Sequence, residues 1–574
     1  MTKNIERKII TALLLTTLIS VNIPVVARDS PFTRKGTGPK YWIAYEYCWI
    51  TNMPIPEDRW KANIDWMNTH FKSFGYDMIC NDGWIEAAQT IDNNGYITKY
   101  NDQWEHSFKY WADYLDERRM KLGVYYNPMW MTKAAYDKNV SVKGTDIKAQ
   151  DIAGPISFNE PLYWVDTDRK GAKEWIQGYV KYFIEAGATY LRIDFLENYE
   201  KNYGTAKYIQ ALEWIKEAAG NDIFLSLVMP NCFDHGRNEL KYGDMIRIDD
   251  DCFDGGWEFV SDRRRGQQKA IWPQYGNAFD GFIGFADIGG RGQMILDGDF
   301  MRMNTMANDN ERVFKFSLMV MGGSALAIAD QYDSVGEHAW VYQNTELLEL
   351  NEQGFVAKPL SYDAKDTDKS SVWAGQLPNG DWVVGLFNRE GTKQVRSIDF
   401  EKELGIEGGS TENVRDLWAH KDLGSMLGGY SVELAPHECR IIKIKNNSLR
   451  YEAEFASMIN TKKKQDNFRY NGCGYAGDFQ NTDAKVFFAV EVPAKGNYTI
   501  QIRYANPNKD TGTASLYIDD KKMANQLIFA PVKTNRWELT EVKVSLEAGS
   551  NFISIQKDKP DNGYFDLDYI QIVK

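Results

Sequence analysis

The chain has 574 residues, 43% hydrophobic and 26% charged, with a formal net charge of -13. That length supports a large core and more than one domain, and the acidic balance excludes a nucleic-acid partner, which would need a basic face. Six scattered cysteines (Cys48, Cys80, Cys232, Cys252, Cys439, Cys473) lack metal-ligand spacing, so neither a zinc site nor a disulfide-dense scaffold nor a catalytic thiol is expected.

In chain order, residues 1–27 come first. Lys3, Arg7 and Lys8 precede an apolar run that ends at the small residue Ala27. This is the pattern of a secretory signal cleaved after Ala27, which places the protein outside the cytoplasm, secreted or periplasmic. A retained anchor is the alternative, although Asn22 and Pro24 interrupt the run. No later segment is long and apolar enough to span a bilayer.

Residues 28–357 alternate strand-like runs with amphipathic stretches. The strands predicted are 41–47, 77–82, 121–127, 189–195, 222–229, 244–251, 282–288 and 325–331. Segments such as "EDRWKANIDWMNTHFKSFG", with aromatics recurring every three or four residues, lie between them. Eight strands with intervening helices predict an α/β fold, a (β/α)8 TIM barrel. A doubly wound open sheet is the alternative, but no glycine-rich phosphate turn supports it.

After residue 357 the pattern changes. "SSVWAGQLPNGDWVVGLFNRE" places two alternating runs around "PNGD", a hairpin signal, and 358–446 reads as an antiparallel β-sandwich. "KNNSL" (445–449) reads as a linker. The runs beyond it, from "YEAEFA" to "GYFDLDYIQIV", predict a second β-sandwich of jelly-roll type at 450–574.

Ligand-directed side chains of a barrel sit at the C-terminal ends of its strands. Those ends carry Glu46, Asn81, Asp82, Asn127, Asp194, Asp249–Asp251, Asp287 and Asp330. Carboxylates therefore dominate the expected mouth, and paired carboxylates without metal suggest glycoside hydrolysis. Strand alternation puts Arg192 and Asp194 on one face, and Arg247, Asp249 and Asp251 on another shared face with Asp250 opposed. Asp194 and Asp251 emerge as the candidate pair. Two structural ion pairs, Arg192–Asp194 and Arg247–Asp249, are the alternative.

The ordered motifs "GYDMICNDGW", "KLGVYY", "YLRIDF", "RIDDDC…W", "LDGDFM" and "ELLELNEQGFVAKPL" resemble glycoside hydrolase family 27, the α-galactosidase family, over about residues 41–445. The resemblance implies Asp194 as nucleophile and Asp251 as acid/base, with Asp250 as the alternative acid if the strand carries a bulge. It implies that Asp82 binds sugar hydroxyls, that Arg192 is the basic residue beside the nucleophile, and that Tyr125 is an aromatic of the pocket. Arg247, Asp297 and Trp84 are further substrate-binding candidates, with Trp130 and Trp257 as possible wall residues. Two departures loosen the sugar assignment. Asn81 stands where the family has a carboxylate gripping galactose hydroxyls, and "SLVMPNC" replaces the usual Glu-Trp-Pro after strand five.

The implied activity is a retaining, two-aspartate hydrolysis of α-galactosides in poly- or oligosaccharides. The alternatives are an α-glucan, in the manner of isomalto-dextranase, and a β-L-arabinopyranoside. No cofactor is expected for catalysis. Arg192 should keep Asp194 ionised, while Asp249 and Asp250 should raise Asp251.

The last module resembles carbohydrate-binding modules of families 6 and 35, through "YEAEFA" at its start and "GYFDLDYIQI" at its end. That resemblance implies a structural calcium on Glu452, Glu454 and Asp568, with Tyr470 and Trp537 as sugar contacts. A glycan-binding protein without catalysis is the alternative from another class. Oligomeric state is open.

Overall fold

The computed structural model describes residues 36–156, 162–272, 274–524 and 526–574, so the expected leader at 1–27 lies outside the described residues. Eight short parallel strands pair in chain order: β1 Lys40–Ile43, β2 Met78–Cys80, β3 Lys121–Tyr125, β4 Ala188–Ile193, β5 Phe224–Leu227, β6 Met245–Arg247, β7 Ile295–Asp297 and β8 Leu326–Ile328. β8 pairs with β1, Lys40 opposite Leu326, and just beyond β7 Met301 bridges Ile328, which closes the ring.

Side chains along the strands sort as their alternation requires. Tyr41, Ile43, Met78, Cys80, Tyr190, Phe224, Met245 and Ile295 fill the barrel interior, with Tyr190 stacked on Phe224 at 5.6 Å. Leu191 and Ile193 of β4 instead join the larger core outside, against the helices. One layer above the apolar interior sit Arg192, Ser226, Arg247 and Asp297, all buried. The barrel is thus greasy below and charged at its mouth.

Three expectations need correction. The strand predicted over 41–47 stops at Ile43, and Tyr45–Thr51 is a helix. Glu46 is therefore a helix residue; it is buried and accepts from Arg302, Asn304 and Ser334. The strand predicted over 282–288 belongs to a helix, Ala278–Gly284, capped by Asn277, whose side chain accepts from Asp280 N. The seventh strand lies later, at Ile295–Asp297. A buried helix and a buried strand present the same apolar run, and the Asn277 cap decides for helix. Finally, β6 ends at Arg247, and Ile248–Asp251 have no regular structure. A small sheet of Trp130–Thr132, Ala153–Ile156 and Leu162–Val165, not expected, is inserted between β3 and β4.

Beyond the barrel, a six-stranded sheet and a two-stranded sheet are built from strands between Lys358 and Ile444. The predicted hairpin is there: Val372–Gln376 pairs antiparallel with Trp382–Phe387 around Gly380 at φ +88°. Helix Asp309–Met321, capped by Asn308, is buried on almost every face because it is clamped between barrel and sandwich. Arg389 crosses this interface as a buried cation, bonded to Asp280 (2.8 Å) and to Ser261 Oγ (2.9 Å). Truncating one side of such a pair costs about 3–5 kcal/mol, because the other charge is left buried alone. The C-terminal module is two antiparallel sheets around its own core of Val486, Phe488, Ile500, Ile502, Leu516, Ile555 and Ile570. It docks through Lys358 Nζ on the Ala456 carbonyl (2.8 Å) and Tyr451 OH on the Pro378 carbonyl (2.6 Å).

Candidate active site

The ends of β2, β3, β4, β6 and β7 bring Asn81, Asp82, Tyr125, Arg192, Asp194, Arg247, Asp251 and Asp297 together at the barrel mouth. Backbone strain gathers at the same end. Trp84, Phe195, Met229, Cys232 and Asp299 all have φ between +48° and +64°, a region that non-glycine residues rarely enter. Phe195 turns the chain from β4 into helix Leu196–Tyr203, which leaves Asp194 at the junction.

Asp194 is held in place from several sides. Tyr125 OH donates to Oδ2 (2.9 Å), Phe195 N donates to Oδ1 (2.7 Å), and Asn127 Nδ2 donates to its backbone carbonyl (2.7 Å). Asp251 accepts from Arg247 Nη1 at 2.8 Å. The alternative ion pairs do not form. Arg192 approaches Asp82 (3.7 Å), Asp297 (3.4 Å) and Asp299 (3.6 Å), while Arg247 takes Asp251, Asp297 and Asp299. Asp249 is fully buried, and neither of its oxygens has a hydrogen-bond partner among the described residues. Asp250 is engaged by Arg263 (2.7 Å) and Arg264 (2.8 Å).

Burial lifts the carboxyls of Asp82, Asp194, Asp249, Asp250, Asp251 and Asp299. Asp82 is pushed up to about 7, opposed by Arg192. Asp251 is pushed up to about 6 by burial against the pull of Arg247, with Asp194 adding to the rise and Asp250 contributing less. Asp194 is also raised by burial, although Arg192, Phe195 N, Tyr125 and Arg247 all favour its charged form. Arg192 therefore does not lower Asp194 outright, since its charge is shared with three other aspartates. Asp194 nonetheless has more groups stabilising its anion than Asp251 has, and the charge of Asp194 raises Asp251.

Neighbouring residues 81 and 82 each hold a buried atom without a hydrogen-bond partner among the described residues. Asn81 spends Oδ1 on Tyr125 N (3.0 Å), and its Nδ2 has no hydrogen-bond partner among the described residues; Asp82 Oδ2 also accepts no hydrogen bond from them, with Arg192 Nε 3.7 Å away. The mouth therefore presents a fixed neutral donor beside a carboxyl oxygen that accepts no hydrogen bond from the described residues. Asp297, a substrate-binding candidate in the sequence, is wholly enclosed beneath the two arginines and orients them. Trp84 is partly exposed, its Nε1 on Asn52 Oδ1 (3.3 Å). Trp130 is core, packed on Trp164 and Phe195. Trp257 stacks on His437 at 4.0 Å, against the sandwich.

Other strand-end groups are structural. Asp330 accepts from Met303 N and Asn304 N, and Asp287 pairs with His235 at 2.8 Å. Sequence reasoning missed Asp299, which takes Cys252 N (2.7 Å) and both arginines. It stands two residues after Asp297, in the quoted motif "LDGDFM", so the signal was present. Tyr45, whose hydroxyl feels Asp251, Asp299 and Asp82, was hidden by the misread strand. Glu197, pushed up to about 8 by burial and by Asp194, was also missed.

In the C-terminal module Glu452, Glu454 and Asp568 are all buried. Glu452 accepts from Asn471 Nδ2 (2.6 Å), Glu454 from Cys473 N (3.0 Å), and Asp568 from Asn471 N (3.0 Å) and Arg503. Glu452 Oε2 and Glu454 Oε2 have no partner among the described residues, which suits an oxygen-seeking cation. Arg503 already occupies Asp568, and no three acidic, histidine or cysteine side chains among the described residues are drawn together as a finished metal cage. Tyr470 and Trp537 flank Tyr475 at 5.8 and 5.2 Å, with Arg503 over the Trp537 ring. All six cysteines are free, and no helix among the described residues is long and apolar enough to cross a membrane.

Comparison with known proteins adds three findings. Residues 367–444 match the alpha galactosidase C-terminal beta sandwich domain, and residues 449–574 match the family 35 carbohydrate binding module. The chain is 42% identical to the isomalto-dextranase of Arthrobacter globiformis, over 96% of this chain and 92% of that protein. The solved structure of the Arthrobacter globiformis T6 enzyme complexed with panose superposes with a TM-score of 0.91, covering 95% of this chain and 98% of that one. A family 27 β-L-arabinopyranosidase from Geobacillus stearothermophilus, at 21% identity, shares the fold over 73% of this chain and all of that one, with a TM-score of 0.60.

Proposed function

The chain belongs to glycoside hydrolase family 27 and carries a C-terminal family 35 carbohydrate-binding module, and from this we propose that it hydrolyses an α-1,6-linked glucan, releasing a disaccharide from the chain end outside the cytoplasm. The glucan takes the place of the α-galactoside that the motifs alone suggested. The observation that carries this reading is Asn81: with Oδ1 committed to Tyr125 N, it offers the mouth only an N–H donor. A 1,6-linked glucosyl unit has an ether oxygen at O6, which accepts but cannot donate. The hydroxyl at O4, which can donate, suits Asp82 Oδ2, which accepts no hydrogen bond from the described residues. A free galactose O6 hydroxyl has no such need of a neutral donor.

In the proposed chemistry Asp194 attacks the anomeric carbon while Asp251, protonated, passes its proton to the departing oxygen. Water, deprotonated by Asp251, then releases the sugar from Asp194 with configuration retained. This route requires the two carboxyls about 5–5.5 Å apart. The influence of the Asp194 charge on Asp251 supports that closeness, and the Arg247 contact orients Asp251.

The test is product analysis on dextran and on aryl α-galactoside, with the unaltered protein and with Asn81→Asp. Isomaltose from dextran with little galactoside cleavage is expected. Asn81→Asp should lower kcat/KM on dextran about 10- to 100-fold, since a second acceptor would face an acceptor. Preferential cleavage of the galactoside by the unaltered protein would refute the glucan reading.

A further inference from the structure

Family membership and the proposed chemistry account for the sugar that reacts, but not for an organised aromatic lip on Asp251's side of the mouth. Tyr45, buried beside Asp251, lies nearly parallel to Trp49, with centroids 6.1 Å apart and planes at 12°. Trp49 in turn meets Phe253 at 5.0 Å. The row climbs from the catalytic floor to solvent, where Trp49 is 38% exposed and Ile50 and Met53, on the same turn, are more so. An indole left in water usually moves freely, but this one is fixed. Trp49 Nε1 donates to Asp254 Oδ1 (2.9 Å), three residues past Asp251. From beneath, the buried Arg302 donates to the Phe253 carbonyl (2.7 Å) and to Glu46 Oε1 (3.2 Å), which ties the Asp251 loop to the helix that carries Trp49.

We propose that Trp49 and Phe253 form an acceptor-side binding site, receiving the glucosyl unit on the far side of the bond that is cut. The occupant follows from position. The acid must touch the glycosidic oxygen, so whatever continues past that oxygen on Asp251's side is the departing glucan. Pyranose rings present flat C–H faces, and a rigid, half-exposed indole paired with a phenyl ring is the surface such faces stack on. Glu46 therefore acts as the buried post that holds the lip in register. The inference rests on the glucan reading but fails separately from it.

The experiment compares two substrates with the full-length protein. Dextran fills the acceptor side, whereas α-isomaltosyl fluoride gives up only a fluoride ion as its isomaltosyl group bonds to Asp194, and leaves that side empty. Trp49→Ala should raise KM for dextran about tenfold and move KM for the fluoride far less. Trp49→Phe, which keeps a ring, should recover most of the loss, and this separates lost stacking from lost folding. An equal loss on both substrates, or an unshifted KM for dextran, would overturn the acceptor-side site while leaving the glucan reading intact. Failure of the unaltered protein to cleave any α-1,6-glucan would overturn both.

Discussion

The barrel mouth and the root of the C-terminal module each bury a knot of carboxylates, but they compensate the charge differently. In the mouth, Asp82, Asp251, Asp297 and Asp299 are threaded by two buried guanidinium groups, Arg192 and Arg247, supplied by strands β4 and β6 on either side of β5. In the module, Arg503 reaches only Asp568. Glu454 is pushed up to about 8 and Asp568 to about 7 by burial, and two glutamate oxygens are unsatisfied. The first arrangement carries its own cations and can therefore assign different work to neighbouring acids. The second is short of positive charge, and we propose that calcium supplies it. Buried like charges behave according to the counter-charge the fold builds in.

That contrast breaks soonest at Asp194. If the mouth acids are chemical, Asp194→Asn lowers kcat on dextran by about 10^4-fold or more while the melting profile is kept, because the attacking oxygen is gone. Ordinary turnover by a folded Asp194→Asn protein would reduce the mouth to a structural ion cluster. Next in size is Asp251. Its proton must be present to be given, and the carboxyl titrates at about 6, so kcat/KM on dextran should fall as pH rises through about 6. Asp251→Asn should cost about 10^2- to 10^4-fold on dextran, far less on α-isomaltosyl fluoride, and should flatten that alkaline limb. Persistence of the limb in this variant would assign the proton to another group.

The smallest effect sharpens the other half of the comparison. Calcium should raise the melting temperature of the module by about 5 °C, chelator should reverse it, and Glu454→Gln should blunt it. A profile indifferent to calcium and chelator would mean that Arg503, together with Lys463, whose charge favours ionised Glu454, suffices.

Much of this was legible along the chain. The alternation of Tyr190, Leu191, Arg192 and Ile193 divides interior from exterior as the barrel does, because a strand has only two faces. The same rule singled out Asp194 and Asp251. It failed where the period did not persist: residues 45–51 are apolar enough for a strand but turn into helix just past Ile43, and residues 282–288 belong to a capped helix and the turn after it. Those two misreadings hid Tyr45 and moved Glu46 and Asp287 to places they do not hold.

The sequence by itself determined most of the order of elements, the change from barrel to β-modules, and that Asp82, Asp194 and Asp251 stand beyond strand ends, since these depend on local periodicity and turn chemistry. Only the tertiary structure decided which arginine serves which aspartate, that Asn81 can offer nothing but a donor, and that Trp49, Phe253 and Glu46 form one lip. Those facts depend on contacts between residues dozens to hundreds of positions apart, and no local pattern encodes a side chain's partner across a closed barrel.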